Sequence, residues 1–143
     1  MKIMAVDYGD SRTGLAMCDR TEFLASPIGI IQEKSLAKTA EKIIYAAREY
    51  EAAMVVVGLP LNMDGTHGAR AEKCTKLVEI IKPIIGIPVE MWDERSTTKT
   101  ALNVLSDNGT YGKKRKEVLD AVAAVVILES YMAFRKNNED KNV

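Results

Sequence analysis

Histidine and cysteine are scarce in this chain: one histidine and two cysteines in 143 residues. Cys18 and Cys74 stand far apart and match no zinc spacing, which argues against a structural zinc site and points to a reducing compartment. Both read as plain core or near-surface thiols. Net charge is missing as well, with 20 basic and 20 acidic side chains. The whole molecule is therefore no electrostatic glove for nucleic acid, and any such role must use local patches and metal ions. Long apolar runs are absent: Ala121 to Leu128 is far too short to span a bilayer. Met1-Lys2 leads straight into a strand and a polar turn, with no signal pattern. The expectation is a cytoplasmic protein with no membrane role. Without repeats, linkers or low-complexity stretches, residues 1–143 read as one domain, with a polar tail that frays from about residue 135.

What is present is an alternation of short apolar runs and helical periods. Lys2 to Val6, Thr13 to Asp19 and Phe23 to Gln32 read as three strands, and Pro27 marks the third as an edge or an irregularity. Ser35 caps a helix to about Ala53, whose apolar positions Leu36, Ala40, Ile43, Ile44, Ala47 and Tyr50 keep the helical period. Met54 to Val57 is a buried strand, Asn62 to Thr66 a loop, and Gly68 to Ile85 a second helix ending by Gly86. Val89 to Trp92 is the last strand, and Trp92 reads as a core residue. Ser96-Thr97-Thr98 caps a third helix through Leu105; a loop from Asp107 to Gly112 and a final helix from about Glu117 to Phe134 follow. Three strands in a meander, then two strands each preceded by a helix, make an α/β fold: one mixed five-stranded sheet flanked by helices. Sites in such sheets gather at the carboxyl ends of the parallel strands.

Acidic residues sit at those ends. Asp7 directly follows the apolar Ile3-Met4-Ala5-Val6, where a charge is costly unless it is paired or holds a metal. Asp93 and Glu94 close the last strand, and Asp120 opens the apolar run Ala121 to Leu128. The small Ala123 and Ala124 let that last helix lie close to the sheet and bring Asp120 towards Asp7. Each acid has an ordinary alternative: a turn cap for Asp7, a helix cap or an Arg95 partner for Asp93, and an ion pair with Lys116 for Asp120. Together they favour a hard cation, Mg²⁺ or Mn²⁺, bound by a few carboxylates plus substrate oxygens. Two such ions, roughly 3.5–4 Å apart, activate water and stabilise the leaving oxygen in phosphodiester hydrolysis.

Basic and polar side chains supply candidates for nucleic-acid contact: Arg12, Asn62, Arg95 and the run Lys113, Lys114, Arg115 and Lys116. Arg70, Lys73 and Lys76 share much of one helical face and read as solvated. Gly109 to Lys113 is not a Walker loop, because its spacing is wrong and no Ser or Thr follows the lysine.

Five segments, DYGDSRTGLA, VVVGLPLNMDGT, GARAEK, DERSTT and KKRKEVLDAVAAVVILESY, occur in the order found in the YqgF-type pre-16S rRNA nucleases, a family also called Holliday-junction-resolvase-like. The chain resembles that family from about Lys2 to Tyr131. The resemblance implies a ribonuclease H-like fold and a metal-dependent nuclease that matures the 5′ end of 16S rRNA in ribosome biogenesis. It also implies the acids by position: Asp7, Glu94 in preference to Asp93, and Asp120, holding Mg²⁺ or Mn²⁺. Ser96 departs from the family's larger apolar residue, which touches helix packing rather than chemistry. The expected partners are RNA, namely pre-16S rRNA in the small-subunit precursor, or structured DNA. A two-fold dimer would suit a four-way junction, and a monomer would suit single-stranded RNA. The rival readings are a Holliday-junction-type DNA nuclease and a non-catalytic ribosome-assembly or nucleic-acid-binding factor. A relative of the actin-like phosphotransferases ranks lower, because a chain of this length lacks their second domain.

Overall fold

A computed structural model describes the backbone of residues 1–96 and 113–141, and the side chains of residues 1–95 and 121–138. The elements run β1 (Ile3–Asp7), β2 (Arg12–Cys18), β3 (Ala25–Gln32), α1 (Leu36–Glu49), β4 (Met54–Leu59), α2 (Ala69–Ile85), β5 (Val89–Asp93), a 3₁₀ turn (Glu94–Ser96) and α3 (Lys113–Lys141). The expected third helix and the loop after it lie outside the described residues.

The five strands form one sheet in the order β3-β2-β1-β4-β5. β1 pairs antiparallel with β2 and β2 antiparallel with β3, whereas β1–β4 and β4–β5 are parallel. This is the mixed sheet expected from the element order. β1 and β4 lie inside it, which explains why IMAV and MVVV are apolar at every position: both faces are covered. β3 is an edge strand, and its Pro27 sits beside a bulge, where Leu15 pairs with Gly29 and Ala16 with Pro27.

Strand alternation divides the core in two. Met4, Val6, Leu15, Met17, Val55, Val57 and Leu59 face α1 and α2. Ile3, Ala5, Ala16, Cys18, Met54 and Val56 face α3, which contributes Ala124, Ile127, Leu128 and Tyr131. Further bonds pin α3 down. Trp92 Nε1 donates to Ser130 Oγ at 3.1 Å, and Tyr131 Oη donates to Glu90 Oε2 at 2.7 Å. Arg135 Nε donates to Glu22 Oε1 at 2.7 Å.

Element ends differ from the sequence expectations for local reasons. β3 begins at Ala25 rather than Phe23, because the Asp19 carboxylate accepts from the N–H groups of Phe23 and Leu24 and holds them in a turn. α1 stops at Glu49, before the expected Ala53: Glu51 is left-handed (φ 57°), and Ala52 N–H closes back on the Ala47 carbonyl. α3 begins at Lys113 rather than Glu117 and runs to Lys141, past the expected end at Phe134. The bond from Arg135 to Glu22 holds the start of that extension against the β2–β3 connection.

Candidate active site

Sheet register fixes the site. Val6 pairs with Val57 and Gly58 with Trp92, so the carboxyl ends of β1, β4 and β5 lie side by side. Asp7 continues the alternation of Ile3 and Ala5, and Gly58 continues that of Met54 and Val56; both therefore belong to the α3 face. Trp92 packs on that same face, so Glu94, two residues on, returns to it. Asp93 belongs to the opposite side, paired in register with Leu59.

Gly58 lets the two acids meet. A Cβ placed there would lie 2.7 Å from Glu94 Oε1 and 2.6 Å from Ile127 Cδ1. Glu94 therefore passes over bare backbone, between α3 and β4, and its carboxyl group is hydrogen-bonded to that of Asp7. Two carboxyl groups so joined share a proton. Burial raises the Glu94 pKa above the ordinary range and the nearby Asp93 charge adds to this, whereas the Arg70 guanidinium and the bond to Asp7 oppose it.

The other predicted residues fall around this pair. Asp93 is taken by Arg95: Nη2 donates to Oδ2 at 2.7 Å, Nε donates to both oxygens, and the Arg95 backbone N–H donates at 2.9 Å. These bonds hold the Asp93 carboxyl below its ordinary range. Arg95 Nη1 also donates to the Met63 carbonyl, tying β5 to the loop after β4. Asn62 braces that loop, its Nδ2 donating to Thr66 Oγ1 at 3.0 Å. Arg12 opens β2 and, with Ser11, Gln32, Glu33 and Lys34, lines a surface groove of about 420 Å³. It shares its strand face with Gly14, the register partner of Asp7. Residue 120 lies in α3, one helical turn before the buried Ala124. The side chains of Asp120, Lys113, Lys114, Arg115 and Lys116 lie outside those described.

Two residues beside the acid pair were given no site role from the sequence. One is Gly58, which lies inside β4, past the strand end expected at Val57; a glycine within a buried strand marks a close approach. The other is Arg70, whose Nη2 donates to the Tyr8 carbonyl at 2.9 Å. Lys73 Nζ likewise reaches Asp10 Oδ1 at 2.8 Å, so two cations of the supposedly solvated helical face serve the β1–β2 turn. Cys74, one turn beyond Arg70, is buried and its thiol is pushed up to about 12, chiefly by desolvation. It is therefore protonated at neutral pH and no nucleophile.

A mixed sheet of this order, with carboxylates at the ends of its parallel strands, defines the ribonuclease H-like class. The fold is shared with the Thermus thermophilus RuvC structure solved with a Holliday junction substrate, at a TM-score of 0.61 and 12% identity over 95% of this chain and 96% of that one. The fowlpox virus Holliday junction resolvase superposes with a TM-score of 0.55 at 16% identity, over 93% and 99% of the two chains. The family model described as "RuvX: Holliday junction resolvase" matches residues 1–133, and the chain belongs to that family. A protein of Thermoanaerobacter pseudethanolicus named "Putative pre-16S rRNA nuclease" is 41% identical over 138 residues, 96% of this chain and 99% of its own. One of the same name from Listeria innocua is 41% identical over 134 residues, covering 92% and 97%.

Two outcomes test this geometry. Gly58→Ala drives a methyl group into Glu94 and Ile127, so it is expected to cost about 1–3 kcal/mol in a denaturant titration. Carboxyl NMR should show the Asp7–Glu94 bond lost; an unchanged pair would contradict the close approach. The second outcome concerns pH. The folded pKa of Glu94 is raised, so its contribution to stability is full below the unfolded pKa and is lost as pH rises through the folded value. In metal-free buffer Glu94→Gln should therefore gain on the parent as pH rises above the ordinary glutamate range. A melting-temperature difference that stays constant over that rise would contradict the raised pKa.

Proposed function

We propose that this chain is a divalent-metal-dependent nuclease that hydrolyses phosphodiester bonds in maturing the 5′ end of 16S rRNA, within the cytoplasmic small-subunit precursor. The observation that carries the reading is the Asp7–Glu94 pair, set over Gly58 at adjoining parallel strand ends in a chain of this family. The names of the 41%-identical relatives supply the rRNA substrate.

The donor set fits a hard cation. Asp7 and Glu94 offer only carboxylate oxygens, and the hydrogen bond between them needs a proton that a cation could replace. Among the described residues no group of three potential ligands is assembled, and we assign the third carboxylate to Asp120 of α3. The cation, Mg²⁺ or Mn²⁺, would supply charge neutralisation and a water of lowered pKa. Asp7, fixed by the β1 register, and Glu94, fixed by the turn after β5, would hold the cation beside the scissile phosphate. Burial under α3 keeps the pair in a low-dielectric setting, where charge on the reacting phosphate is strongly felt. Hydrolysis forms one P–O bond to the water oxygen and breaks another to the leaving sugar oxygen, which takes up a proton. Arg12 in its groove and the Lys113 to Lys116 run position the backbone without reading sequence, while Asn62 and Arg95 shape the loop beside the acids.

A second reading, cleavage of a four-way DNA junction, is favoured by the family description and by the fold shared with RuvC. One panel separates the two: an RNA carrying the 5′ leader of 16S rRNA, single-stranded RNA, single-stranded DNA and a four-way junction, each with Mn²⁺, Mg²⁺ or EDTA. The expected result is metal-dependent cutting of the leader RNA. Asp7→Asn should lose it by roughly a thousandfold or more, since removing a charged member of such a site costs several kcal/mol of transition-state stabilisation. Cutting of the junction alone would favour the second reading. Full activity in Asp7→Asn would remove the proposed centre, and binding without any cutting would make the chain an assembly factor.

A further inference from the structure

α2 starts at Ala69, directly after the loop that leaves β4 beside the acid pair, and its second residue is Arg70. The Arg70 guanidinium donates through Nη2 to the carbonyl of Tyr8, the residue that follows Asp7, so its place is fixed relative to that acid. It stands within electrostatic reach of Glu94, Tyr8, Asp10 and Cys74 together. Gly9 keeps the turn open at this point: a Cβ there would collide with the Arg12 carbonyl and lie 3.7 Å from Arg70 Nη2.

The neighbouring cations are otherwise engaged. Arg95 is closed on Asp93, and Lys73 on Asp10. Among the described residues Arg70 makes no ion pair, and its only hydrogen bond uses one N–H of Nη2. A guanidinium has five N–H donors in a planar fork that matches two oxygens of a phosphate. A cation held on a carbonyl beside two carboxylates, with most of its donors unspent, is suited to a dianionic reacting group rather than to bracing the fold.

We propose that Arg70 is a catalytic residue, whose guanidinium, held on the Tyr8 carbonyl beside Asp7 and Glu94, binds the non-bridging oxygens of the scissile phosphate and stabilises the negative charge that builds on them. The inference rests on the nuclease reading above. Charge that develops only in the transition state raises kcat when it is met by a fixed donor, with little effect on binding.

The test uses Arg70→Gln, which keeps an N–H donor for the Tyr8 carbonyl but no charge, and Arg70→Lys, which keeps the charge. Cleavage is followed on whichever member of the panel the wild-type protein cuts, and affinity for the same nucleic acid is measured with Ca²⁺ in place of the active metal. Arg70→Gln should lower kcat roughly a hundredfold or more, with affinity within about threefold and melting temperature unchanged. Arg70→Lys should recover a substantial part of that loss. Arg70→Gln with near wild-type kcat would overturn the proposal, as would Lys recovering no more than Gln, or a loss that tracks a lowered melting temperature. In each of those cases the nuclease reading stands, because the wild-type protein cuts. A wild-type protein that cuts nothing overturns the nuclease reading and this inference with it.

Discussion

The contact on which the site depends is the passage of Glu94 over Gly58 to Asp7. It joins the ends of two strands that are not neighbours, β1 and β5, across the strand that separates them. Several other features are constrained by it. β4 must have no side chain where the carboxylate crosses, and Ile127 of α3 closes the space from above. The chain after β5 must turn at once, which the 3₁₀ turn Glu94–Ser96 does. Arg95 must then be held away from the acids, and the fork it makes on Asp93 does that while anchoring the loop through Met63.

This contact is poor for stability. A half-buried pair of carboxyl groups is desolvated and mutually repulsive, and the hydrogen bond between them and the nearby Arg70 charge relieve it in part. The rest of the fold is consistent with carrying such a burden. β1 and β4 are apolar on both faces, α1 and α2 close one side with Ile43, Leu77 and Ile81, and α3 closes the other with Ile127 and Leu128. Strain confined to one end of a well-packed sheet is the pattern expected where a fold keeps a group for chemistry rather than for packing.

Much of the fold was legible in the sequence because its signals were local. Fully apolar runs marked β1 and β4, Ser35 marked the start of α1, Gly86 the end of α2, and Pro27 the edge strand. Asp7 was legible because a charge after an apolar strand demands a reason. The choice between Asp93 and Glu94 was harder, because alternation along β5 assigns them to opposite faces. Which of the two stands beside Asp7 depends on where α3 packs, and that is a long-range fact. Arg70 was hidden for the same cause: helical period groups it with Lys73 and Lys76, and only the fold brings the β1–β2 turn to meet it. The expected α1 ran too long and the expected α3 too short because of end effects. A left-handed Glu51 stops the one, and the Arg135–Glu22 bond secures the other past the expected end.

The most direct test of the central claim is the binding of Mn²⁺ by calorimetry, repeated in buffers of different ionisation enthalpy. If Asp7 and Glu94 hold a proton where a cation is to sit, binding must expel it. The account predicts saturable binding with proton release that grows as pH is lowered, and the loss of both in Asp7→Asn. Equally tight binding in Asp7→Asn, or binding with no proton released, would contradict it.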